Sequence, residues 1–132
     1  MWKILLPTSL LLFLLSTPRQ MREIDLPVAE SPKVEVSITL PPELKRICAC
    51  ESVGDPLAEP RHYNSDGLIL RGIINPQDIG QCQISEIYWL DVANKLGYNI
   101  YTQNGNAIMA IYIYENYGAK PWQWSLPCHG VQ

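Results

Sequence analysis

The sequence is poor in charge. Lys, Arg, Asp and Glu make up 17% of its 132 residues, and the net charge is −3. A nucleic-acid binder normally presents a basic face, which this balance does not supply. Wholesale disorder is excluded from the other side: it needs low hydrophobicity and high net charge, whereas 47% of the residues are hydrophobic. No uninterrupted apolar run approaches the roughly 20 residues that a membrane-crossing helix needs. Only His62 and His129 could join cysteines around zinc, and Cys48-Ala49-Cys50 is not ligand spacing. No metal or cofactor is therefore expected. There is no internal repeat, and the length fits a single domain.

What is present begins with a leader. Met1-Trp2-Lys3 is a short cationic start, and Ile4 to Leu15 is an apolar run broken by Pro7, Thr8 and Ser9. This fits the h-region of a secretory signal. Leu14 to Pro18 offers no A-x-A cleavage pattern, so residues 1–16 read as a signal peptide or as an uncleaved membrane anchor. No cysteine directly follows the run, which argues against a lipid-anchored lipoprotein. The chain is expected to be secreted, or extracytoplasmic and anchored. Residues 17–41, with Pro18, Pro27, Pro32 and Pro41, read as a linker. Within it Val34, Val36, Ile38 and Leu40 alternate with polar residues, the signature of an edge strand or an extended tether.

Export changes how the four cysteines read. An even number in an oxidising compartment suggests two disulfides. Cys48 and Cys50 stand two apart on a predicted helix, so they point to different sides and cannot join. Two pairings stay open, and both tie that helix to later segments.

A helix is predicted from Pro42, where proline suits the first turn. Leu44, Ile47, Cys48 and Glu51 fall on one stripe of it. Asn64-Ser65-Asp66-Gly67 is a turn that lets Arg61 to Tyr63 pair with Leu68 to Leu70 as a short hairpin. His62 and Ile73 occupy the ligand positions that an EF-hand would need, which excludes one. A second helix runs from an N-cap at Ser85 to about Leu96 and stops at Gly97; its core face is Trp89, Val92, Ala93 and Leu96. A third starts near Thr102 or Asn104 and ends at Gly118. It is apolar nearly all round, the pattern of a central buried helix. The fold class is α+β: a small domain over 42–132, mainly helical with a short hairpin, which disulfides would stabilise.

Glu51 is the leading site candidate. It sits at a helix end, in line with the apolar stripe and beside Ser52. Burial raises a carboxyl pKa, and a protonated Glu is what cleavage of a glycosidic bond needs. Trp89, Trp122 and Trp124 are candidates for stacking on sugars.

Glu51-Ser52, Asn64-x-Asp66-Gly67 and Asp78-x-Gly80-x-x-Gln83-Ile84-Ser85, followed by Trp89, resemble the lysozyme superfamily. Asn106, Tyr112 or Tyr114, and the tail Gly118-x-x-Pro121-Trp122-x-x-Ser125-x-x-Cys128, are similar to small bacterial transglycosylase-like domains. In many of that family the tyrosine falls where Ile113 stands here. The resemblance implies a lysozyme-like fold and cleavage of β-1,4 MurNAc–GlcNAc bonds in peptidoglycan. Glu51 would be the general acid and base. Asp78 would be a second carboxylate. Ser52, Gln83 and Asn106 would bind or position substrate, and Tyr112 or Tyr114 would hold Glu51. It also implies the pairings Cys50–Cys128 and Cys48–Cys82. Peptidoglycan glycan strands are the implied partner, met by a monomer. A lytic transglycosylase is favoured over a hydrolytic lysozyme, and an inactive wall-binding module is the reading from another class.

Overall fold

The computed structural model describes residues 36–132; the leader and most of the linker, residues 1–35, lie outside the described residues. Among the described residues no helix is long and apolar enough to cross a membrane. The elements in chain order are α1 (Pro42–Ser52), β1 (Asp78–Ile79), β2 (Ile84–Ser85), α2 (Glu86–Leu96), α3 (Gln103–Tyr117), a 3-10 stretch (Lys120–Ser125) kinked at Trp122, and α4 (Leu126–His129).

α1 begins at Pro42 as predicted. It buries Leu44, Ile47, Cys48, Ala49 and Cys50. Leu44 and Ile47 are wholly inaccessible, each worth about 2 kcal/mol of transfer free energy. α2 ends at Gly97 in the left-handed region, where glycine carries no steric cost. Its face is less buried than expected: only Ala93 is fully covered, Trp89 and Val92 are half-buried, and Leu96 is exposed. α3 is capped by Thr102, whose hydroxyl accepts from Gly105 N–H at 3.0 Å. It is the central helix, burying Ala107, Met109, Ala110 and Ile113 against α1 and the sheet residues Ile79 and Ile84.

The predicted hairpin forms as a single antiparallel bridge, Tyr63 to Ile69, around an Asn64 turn. A second bridge joins Arg71 to Ile79. β1 and β2 pair antiparallel, Asp78 with Ser85 and Ile79 with Ile84. The hairpin over 78–85, not among the predicted elements, thus extends the pairing begun at Tyr63. The alternating stretch before Pro41 is no strand where it is described. Residues 36–40 lie extended on the start of α3, held by Asn104, which accepts from Ile38 N–H and donates to the Val36 carbonyl. Leu40 is buried in the core, so packing begins ahead of Pro42 and the last linker residues belong to the domain.

Two disulfides close the structure: Cys48–Cys82 joins α1 to the β1–β2 turn, and Cys50–Cys128 joins α1 to α4. Bridges closing loops of 34 and 78 residues are worth about 4 kcal/mol each by chain entropy. They point to an oxidising compartment. The architecture is a helix-rich α+β domain with a two-stranded antiparallel sheet.

Candidate active site

Glu51 occupies the last turn of α1, where the helix dipole is already unfavourable to a negative charge. Its carboxyl is pushed above the usual carboxylate range, first by burial. A hydrogen bond from the Ser125 hydroxyl partly opposes that rise, and the negative charge of Asp78 adds to it. Glu51 lines a cleft of about 1540 Å³ together with Asp78, Gln83, Trp89, Trp122 and Trp124. Asp78 is also raised, by burial, against a hydrogen bond from the Asn75 side chain. The two carboxyl groups thus share one cleft, and both are biased towards the protonated form.

The Asp78–Ser85 motif is explained by its turn. Gly80 has φ +73°, and a Cβ there would stand 2.5 Å from the His62 ring and 2.8 Å from Asn106 Nδ2. Only glycine fits, for conformation and for space. Gln83 also has positive φ, 49°, which costs a non-glycine residue about 1–2 kcal/mol. Its side-chain amide donates to the Gly80 carbonyl at 2.9 Å, which helps hold the turn and leaves the side chain on the cleft wall.

Several predicted roles change. Asn106 is fully buried. Its Oδ1 accepts from Cys82 N–H, and its Nδ2 donates to the Ile79 and Ile100 carbonyls. It is a brace between α3 and the sheet that substrate cannot reach. Ser52 is buried, and its hydroxyl is occupied by backbone, donating to the Cys48 carbonyl and accepting from Arg61 N–H. It fixes the chain leaving α1, its hydroxyl held by backbone at the cleft wall. Neither predicted tyrosine touches Glu51. Tyr114 donates to Glu43 at the opposite end of α1, and Tyr112 packs against the core away from the cleft. The helical phase brings Ile113 and Tyr117 to the cleft instead. The hydroxyl on Glu51 belongs to Ser125, whose place in the tail motif was visible in the sequence but whose contact, 74 residues away, was not.

The tryptophans divide by exposure. Trp122 is nearly buried, and its indole N–H donates to the Cys82 carbonyl at 2.8 Å. Trp89 packs edge-on to Tyr117, with centroids 5.3 Å apart. Trp124 is 89% exposed at the cleft. Tyr88, Asn75 and Arg61 also line the cleft and were not anticipated; all three are exposed polar-tipped residues with no periodic signal. No protein-family model matches the chain, and no curated protein or solved structure matches it.

Proposed function

We propose that the protein is an exported glycosidase with a lysozyme-like fold that cleaves β-1,4 MurNAc–GlcNAc bonds of peptidoglycan, with Glu51 as acid and base. The observation that carries the reading is the Glu51 carboxyl: desolvated, raised in pKa and lining a cleft of about 1540 Å³. A glycosidic oxygen leaves only when it receives a proton, and a carboxyl whose burial favours its protonated form supplies it. A cleft lined by Trp124, Tyr88 and Gln83 suits a saccharide chain, which presents apolar ring faces and hydroxyl edges.

A lytic transglycosylase is favoured. Glu51 gives its proton to the bridging oxygen as the C1–O bond breaks. The sugar's own 6-hydroxyl then attacks C1 and returns a proton to Glu51, leaving a 1,6-anhydro end. The second step is intramolecular and needs no second carboxylate. Asp78, itself half-buried and raised, supports a hydrolytic lysozyme as the second reading, because it stands in the same cleft and acts on Glu51 electrostatically. An inactive wall-binding module is the third outcome. Digestion of purified peptidoglycan by the oxidised protein, with the products weighed, separates them. Products one water lighter than hydrolytic muropeptides are expected. Reducing-end products would establish the lysozyme, and no release would leave the binding module.

A further inference from the structure

Ser125 has two oxygen neighbours and one proton. Its Oγ lies beside Glu51 Oε1 and 3.1 Å from the Trp122 carbonyl oxygen. The carbonyl can only accept. When the serine proton points to Trp122, Oγ faces Glu51 as an acceptor and is satisfied only by a protonated Glu51. When Glu51 is ionised, the same proton turns to the carboxylate. From this we infer that Ser125 is the positioning residue of Glu51, turning its single proton between the Glu51 carboxyl and the Trp122 carbonyl as Glu51 loses and regains its own.

The surroundings fix the hydroxyl for that movement. The Trp122 carbonyl also accepts from His129 Nε2 at 3.0 Å, and His129 Nδ1 accepts from Val131 N–H at 3.0 Å. The histidine proton therefore sits on Nε2, and the carbonyl keeps one partner whichever way Ser125 turns. His129 is fully buried. Cys50 precedes Glu51 and is bonded to Cys128, three residues after Ser125, so the bridge clamps both ends of the contact. The charge acting on Glu51 comes from Asp78 in β1, and His129 in α4 is the other titratable group beside it; Arg61, Arg71 and Lys120 line the same cleft.

The role rests on the proposed function, and it answers that reaction's particular demand. One carboxyl must be an acid while C1–O breaks and a base while the 6-hydroxyl bonds to C1. With Ser125 each form keeps a hydrogen bond, and the turn moves no heavy atom.

The test titrates Glu51 by ¹³C carboxyl NMR in the oxidised full chain, as wild type, Ser125→Ala and Ser125→Thr, with rates of muropeptide release measured in parallel. In Ser125→Ala, Glu51 should titrate at higher pH, because the charged form loses the stronger bond. Its kcat should fall by about tenfold or more with KM changed less than about twofold. Ser125→Thr, which keeps the hydroxyl, should restore both. Unchanged Glu51 titration in Ser125→Ala, or equal loss in the alanine and threonine variants, would overturn the assignment. If wild type releases nothing from peptidoglycan, the glycosidase reading fails. The titration still decides the hydroxyl's role, a higher midpoint in Ser125→Ala supporting it and an unchanged one overturning it.

Discussion

The segment Asp78 to Ser85 supplies two regions with opposite physics. Gly80, Gln81 and Cys82 are buried in a hub where His62, Asn106 and the Cys48–Cys82 bridge meet. Among the described residues every buried side-chain nitrogen and oxygen has a partner. Asp78 and Gln83, from the same few residues, stand on the cleft, where carboxyl groups are partly stripped of water and Ile73, Ile74 and Trp124 lie open to it. The hub satisfies all it buries and gains rigidity. The cleft leaves charge poorly solvated and apolar surface uncovered, which lowers stability and supplies a site. Removing a hub residue should therefore cost stability, and removing a cleft residue should cost activity.

Glu51→Gln breaks the comparison most sharply on the cleft side. Activity should fall by about a thousandfold, while the melting temperature holds or rises, because an unfavourable buried acid is gone. Calorimetry beside a turnover assay checks both halves. On the hub side, Asn106→Ala strands the Cys82 N–H and the Ile79 and Ile100 carbonyls. It should cost about 3 kcal/mol, read by denaturant unfolding under oxidising conditions.

A smaller effect is expected at Asp78. Asp78→Asn should reduce transglycosylation by less than about tenfold. It should also move the Glu51 limb to lower pH, because a negative neighbour that raises that carboxyl is removed. A drop as large as that of Glu51→Gln would assign Asp78 to the reaction. The smallest effect concerns His62. Its Nε2 donates to the Tyr101 carbonyl and its Nδ1 accepts from Gln81 N–H. Burial holds its pKa below the ordinary value of 6.5. The unfolded chain then binds the proton first. Stability is full above 6.5 and falls as pH drops below it towards the folded value. His62→Gln should flatten that slope in melting temperatures measured from neutral to mildly acid pH.

Helix ends are local, so Pro42, Thr102, Gly97 and Gly118 marked them. Glu51 was legible because an acid in an apolar stripe is a local contradiction. The 78–85 hairpin was not, since its strands are two residues each and Gly80 reads as a loop glycine until His62 is seen against it. The resemblance put Asn106 on substrate, and nothing in sequence separates a buried amide from an exposed one. The tyrosines failed on helical phase: around a helix apolar on nearly every side, one position changes the face, and Ile113 took the cleft. Ser125 needed the fold, which brings the tail back across α1 through Cys50–Cys128.

Whether Glu51 is the desolvated acid of a peptidoglycan-cleaving cleft is decided by the pH dependence of kcat/KM for muropeptide release by the oxidised protein. The expected result is a descending limb above the usual carboxylate range, displaced to lower pH in Asp78→Asn and absent with the activity in Glu51→Gln. A limb within that range, or Glu51→Gln cleaving as wild type does, would contradict it.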